Sequence, residues 1–167
     1  MNLSQIQNDE IVVVDANIIL YALEHQSVQC EQLIRRCAMR EISCIIPSVQ
    51  FAEVMHRLMI REAQDNGWVT GGNPARQLSG KPDRIRLLNR YESGIKSMLG
   101  MGFVMEPVLQ EDFLVATASQ RQHGLMTNDA LLVAVAGRLR VEAVASSDLA
   151  IVRAPGIVLY SPTDIKP

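Results

Sequence analysis

Ile11-Val12-Val13-Val14-Asp15-Ala16-Asn17 is the stretch on which the fold turns. Four β-branched residues in a row have no polar alternation. They read as a strand covered on both faces, as in a parallel sheet flanked by helices. Asp15 follows at once. In open parallel sheets the ligand crevice lies beyond the C-terminal strand ends, so a carboxylate set there is a candidate for chemistry rather than packing.

Working outward, short apolar runs alternate with helical patterns. A helix is expected from about Asn17 to Glu24. A second runs from about Val28 to Met39, where Cys30, Leu33, Ile34, Cys37 and Ala38 recur at helical spacing. A strand covers about Ile42 to Ile46. Pro47-Ser48 opens a helix with Ser48 as N-cap. Its apolar stripe is Phe51, Val54, Met55, Leu58 and Met59, and it fades near Asp65-Asn66-Gly67. Gly67 to Pro82 reads as loop from its glycines and prolines. A helix over Asp83 to Leu99 and a strand over Phe103 to Met105 follow. Gln110 to His123 is a helix closed by Gly124. Thr127-Asn128-Asp129 opens a helix that is apolar nearly all round through Leu139. Val141 to Ala145 and Ile157 to Tyr160 are the last strands. This alternation predicts one α/β domain over residues 1–167, a three-layer α/β/α sandwich around a central parallel sheet, with a helical insertion at about 67–100.

Composition narrows the function classes. The 167 residues suit a single domain with a real core. The net charge of −2 does not by itself point to nucleic acid, though a local basic patch beside acidic ligands is compatible with it. Cys30, Cys37 and Cys44 are odd in number and form no C-x-x-C, so reduced, partly buried thiols are expected. The apolar runs fall far short of the roughly 20 residues that span a bilayer. Met1 to Glu10 lacks the basic start and apolar middle of a signal peptide. The expectation is therefore a cytoplasmic protein without membrane contact. No phosphate-binding glycine loop or nucleophile elbow occurs. His25, His56 and His123 are read as structural. Met39, Met55, Met59, Met98, Met101 and Met105 are read as core fillers.

Four acids sit where strands end or helices begin. Asp15 follows the first strand and Asp148 a later one. Asp129 starts a helix at the same edge if the crossover is right-handed. Glu53 lies one turn into the helix after the second strand. Carboxylates from four elements are then able to meet at one rim. Without a cation they repel and raise one another's pKa values. With Mg²⁺ or Mn²⁺, hard cations that prefer carboxylate oxygens, they anchor a phosphate and activate a water. Asp129 and Asp148 also suit helix- or turn-capping, and Glu53 suits a pair with Arg57.

Val13-Val14-Asp15-Ala16-Asn17-Ile18-Ile19-Leu20, Pro47 to Val54 with Glu53, Leu125 to Leu132 with Asp129, and Ala145-Ser146-Ser147-Asp148 ahead of Val158 to Pro162 together resemble the motifs of the PIN-domain family, in order and over nearly the whole chain. Within it the chain is similar to the VapC-like toxin ribonucleases of prokaryotic toxin–antitoxin pairs. The resemblance implies Asp15, Glu53, Asp129 and Asp148 as catalytic and metal-binding acids, with Asn17 and Ser146 supporting them. It further implies Mg²⁺ or Mn²⁺ as cofactor, RNA as substrate, a homodimer and a cognate antitoxin. The Gly67 to Gly100 segment is longer than such toxins usually carry. Arg84, Arg86 and Arg90 in it are candidates for RNA phosphates. Two other readings stay open on sequence: a catalytically silent RNA- or protein-binding module, and a nuclease acting on DNA.

Overall fold

The computed structural model describes residues 1–165. A 3₁₀ turn at Leu3–Gln5 leads into β1 (Ile11–Val14), α1 (Ala16–Leu23), α2 (Val28–Ala38), β2 (Ser43–Pro47) and α3 (Ser48–Asp65). Then come α4 (Pro74–Ser79), α5 (Pro82–Ile85), α6 (Arg90–Leu99), β3 (Val104–Glu106), α7 (Gln110–His123) and α8 (Thr127–Leu139). β4 (Ala143–Ala145), a 3₁₀ turn at Leu149–Arg153 and β5 (Val158–Tyr160) complete the order. No helix among these residues is long and apolar enough to cross a membrane.

The strands make one parallel sheet in the order β3-β2-β1-β4-β5. β1 is central, with Val13 opposite Ile45 on one side and Val144 on the other. Its alternating side chains serve both faces. Val12 and Val14 join Ile18, Ile19, Leu33 and Ile46 in the larger core, under α1 and α2. Val13 joins Leu132, Ala136 and Ile151 on the opposite face, under α8. α7 lies against α8 through Ala116, Leu125, Ala130 and Leu131. Each fully buried valine contributes on the order of 1.5–3 kcal/mol, whereas Ile11, expected to be covered as well, is 47% exposed at the start of the strand. The chain builds outward from β1 to β3 and returns to place β4 on β1's other side. The strand order therefore reverses between β1 and β4, where the crevice of such sheets opens.

Several local expectations are corrected. Pro47, not Ser48, occupies the cap position of α3, and the Ser48 hydroxyl accepts from Val108 N at 3.2 Å instead. Met55 is 43% exposed, so the buried stripe of α3 omits it. Met39 and Met105 are also exposed, whereas Met98 does fill the core. Residues 67–82 are not simply loop: Pro74 and Pro82 each open a short helix, as proline suits the first helical turn. The expected single helix over 83–99 is two, α5 and α6. The insertion folds on a small core of its own, Ala63, Val69, Leu78 and Leu88, joined by Met59 and Tyr91.

Candidate active site

The ends of β1 and β4 are stitched together by side chains. Asp15 stands at the cap position of α1 but makes no capping bond there. Its Oδ2 accepts from Ser146 Oγ at 2.5 Å and from Asn17 Nδ2 at 2.6 Å. Asn17 Oδ1 in turn accepts from Ser147 N at 3.1 Å. Ser146 Oγ also accepts from Asp148 N at 3.0 Å, so one buried hydroxyl joins two of the acids. Asp148 is exposed and caps the 3₁₀ turn, its Oδ1 accepting from Ala150 N at 2.7 Å. The capping reading of Asp148 is therefore correct as far as it goes.

Glu53 enters from α3 and Asp129 from the first turn of α8. Glu53 accepts from Asn128 Nδ2 and lies 3.8 Å from Arg57 Nε, the pair expected from their spacing. Asp15, Asn17, Glu53, Arg57, Asp129 and Asp148 wall a single cleft of about 380 Å³. The electrostatics carry the same imprint. Burial pushes the Asp15 carboxyl up to about 6, the charges of Asp129 and Glu53 add to it, and the Ser146 hydrogen bond opposes it. Asp129 is also raised, by burial first and then by Asp148 and Glu53.

Asp15, Glu53 and Asp148 are each held by partners of their own. Among the described residues, no three acidic, histidine or cysteine side chains converge closely enough to grip a metal ion as they are oriented. The donor set nevertheless fits a hard divalent cation: carboxylate oxygens from separate elements, lining one cleft, whose mutual repulsion such a cation would relieve. A larger, more apolar cavity of about 550 Å³ lies between α7 and α8, past Val115, Ala118 and Val133, and it draws in none of these four acids.

Two contributors escaped the sequence reading, and a third, Arg57, was read only as a partner of Glu53. Gln50 is fully buried; its Oε1 accepts from Ala16 N at 3.2 Å and its Nε2 donates to Asn128 O at 3.2 Å. It thereby sets the starts of α1 and α8 side by side. An uncharged polar residue beside the apolar positions of α3 was the available signal. Asn128 orients Glu53, and Arg57 supplies a cation to the cleft wall. Arg84, Arg86 and Arg90 do not line the cleft: Arg86 pairs with Asp83 at 2.7 Å, Arg90 with Asp65 at 2.8 Å, and Arg84 lies over the Trp68 ring.

Residues 12–157 match the model of the PIN domain family. No curated protein matches the chain by sequence. Among solved structures, the chain is similar to VapBC2 from Rickettsia felis bound to a DNA fragment from its promoter. The TM-score is 0.57 at 15% identity, over 91% of this chain and 98% of that one. It is also similar to a toxin–antitoxin complex from Klebsiella pneumoniae, with a TM-score of 0.54 at 17% identity, over 88% and 95% of the two chains. At these identities the likeness speaks for the fold.

Proposed function

This chain belongs to the PIN-domain family, and on that footing we propose that it is a divalent-metal-dependent endoribonuclease, the toxin of a type II toxin–antitoxin pair. The observation that carries the chemistry is the cleft itself: four carboxylates from four elements at the reversal point of the sheet. Asp15, Glu53, Asp129 and Asp148 would hold Mg²⁺ or Mn²⁺. Once bound, the ion would supply charge to the scissile phosphate, an acidified water and stabilisation of the leaving oxygen. Ser146 and Asn17 keep the Asp15 carboxylate in one orientation. Asn128 does the same for Glu53, and Gln50 holds the α1 and α8 starts at a fixed separation. Arg57, 64% exposed in its side chain, meets a substrate phosphate.

The toxin assignment draws on the two structural neighbours, one a toxin–antitoxin complex and the other a VapBC2 assembly on promoter DNA. A cognate antitoxin, a homodimer and a cytoplasmic setting go with that assignment. A short upstream reading frame encoding a DNA-binding fold would support it.

The test is cleavage of mixed RNA by purified protein. Cleavage is expected with Mn²⁺ or Mg²⁺, stops with chelator, and falls by at least about a hundredfold in Asp15→Asn, which keeps its circular dichroism. Activity that survives chelation or survives Asp15→Asn overturns the mechanism. RNA binding without cleavage under any divalent ion makes the chain a silent module. Preference for DNA moves the substrate.

A further inference from the structure

Positive charge is unevenly spread along the chain. Between Gly67 and Gly100 stand Arg76, Lys81, Arg84, Arg86, Arg90 and Lys96 against only Asp83 and Glu92, so this segment is net positive in a chain of net charge −2. Arg86, Arg90 and Lys96 are neutralised by Asp83, Asp65 and Glu92. Lys81 and Arg84 have no acidic partner among the described residues, and they meet at one place. The Arg84 guanidinium lies 5.1 Å from the centroid of the Trp68 ring. Lys81 Nζ donates to the Trp68 carbonyl at 2.6 Å. Trp68, Lys81 and Arg84 wall a surface cleft of about 460 Å³.

The arrangement is built rather than incidental. Gly67 takes φ +67°, a conformation other residues resist, and turns the chain so that Trp68 N returns to Ala63 O at 2.9 Å. Trp68 rests against the insertion's own core of Ala63, Val69, Leu78 and Leu88. An arginine held over a supported ring keeps its outer face towards solvent. Unpaired bases stack on aromatic rings and on guanidinium planes, and lysines beside them take the phosphates. A duplex hides its base faces, and an acidic peptide has no use for a stacking plane.

We propose that Trp68, Arg84 and Lys81 form a docking platform for single-stranded RNA outside the carboxylate cleft, Arg84 stacking on a base and Lys81 taking a neighbouring phosphate. The substrate half of this rests on the nuclease reading above. α3 links the two places: it carries Glu53 in the cleft and ends at Asp65, about 18 Å further along its axis. Arg57 and Arg61, one turn apart, lie between them. The platform therefore engages RNA several nucleotides from the bond cut.

Trp68 is the only tryptophan, so its fluorescence reports the platform directly. Metal-free Asp15→Asn protein titrated with a short single-stranded RNA is expected to show quenching at Trp68. Arg84→Gln weakens binding at least about fivefold, and Lys81→Gln lowers the salt slope by about one. Arg84→Lys keeps the charge and the salt slope but loses the stacking, so its quenching falls with that of Arg84→Gln. Lys81 and Arg84 are both exposed, and circular dichroism checks that each of the three variants is folded. With Mn²⁺ and the native acids, these variants raise KM for the longer RNA and leave a dinucleotide unaffected. Binding without quenching, unchanged affinity in the variants, or equal binding of duplex RNA or polyglutamate overturns the platform. Cleavage together with unchanged variants sinks the platform alone. Quenching and variant effects without cleavage under any divalent ion sink the nuclease and keep the platform.

Discussion

Asp15 concentrates the electrostatic cost of the cleft in one side chain. Its carboxyl stands at about 6 in the fold against 3.8 when unfolded. A carboxyl raised on folding holds its proton more tightly in the native state, so stability is greatest below the unfolded value and falls as pH rises from about 4 to about 6. The loss is on the order of 3 kcal/mol. In chelator, Asp15→Asn should remove that slope and melt higher than the native chain at pH 7, as read by thermal unfolding at pH 4.5 and 7. A variant that melts lower at both would mean Asp15 is a structural residue. Ser146→Ala separates positioning from folding. Removing the hydroxyl takes away the bond that holds the Asp15 value down, so the acid limb of the pH–rate profile should move to higher pH while activity drops roughly tenfold or more. An unchanged profile with lower activity would leave Ser146 only a packing role. Asp15 was legible because a charge directly after a buried strand has few structural uses, whereas Ser146 came only through the family resemblance. Gln50 was not, because its two partners, Ala16 and Asn128, are brought to it only by tertiary folding.

The insertion is where local reasoning about elements gave way. Periodicity alone ran one helix across residues 83–99, but the chain breaks between α5 and α6 because a distant carboxylate caps the second. Glu62 of α3 is buried and accepts from Asn89 N at 2.9 Å and Tyr91 N at 2.8 Å, at the start of α6. Burial alone would raise its pKa. The backbone donors of Asn89, Tyr91 and Arg90 outweigh burial and hold it below the ordinary value. Such a cap lies 27 and 29 residues away from its helix, beyond any sequence window. Glu62→Ala should destabilise the protein by about 1–2 kcal/mol at neutral pH and speed amide exchange through the first turn of α6. Because the folded value is depressed, the cap's contribution is present above the unfolded pKa and is lost as pH falls through the folded one. The native and variant urea midpoints should therefore converge in acid. A constant difference at all pH values would show that Glu62 acts through packing. The strands and the long helices needed no such help, since the apolar runs of β1 and β2 and the Gly124 cap of α7, at φ +66°, are written locally.

At the scale of the molecule, the sheet gathers charges that the chain keeps far apart, and what the sequence withheld was the side on which β4 returns. Alternating strands and helices imply a parallel sheet, but it is β4 lying beside β1 in the β3-β2-β1-β4-β5 order that puts Asp15 and Asp148 on neighbouring strand ends. On the proposed reading, that order would make metal binding a property of the whole fold, because the four acids share no segment and the unfolded chain has no comparable site. A ligand that binds only the native state stabilises it by about 2.7 kcal/mol at a hundredfold excess over its Kd. Divalent binding at Asp15 would also compete with its proton, so the expected effect depends on pH with a definite sign. Mn²⁺ added to chelator-treated protein should raise the melting temperature by several degrees at pH 7.5 and by much less at pH 5, where Asp15 is largely protonated. Asp129→Asn should cut the shift at both pH values by taking away a ligand and a repelling neighbour together. Because no three acids among the described residues are drawn together, metal binding on the proposed reading would have to turn Glu53 away from Asn128 and Asp148 away from Ala150. Asn128→Ala, which frees Glu53, should then strengthen Mn²⁺ binding while slowing cleavage. Weaker binding in that variant would mean that Asn128 presents Glu53 to the ion in the position already seen.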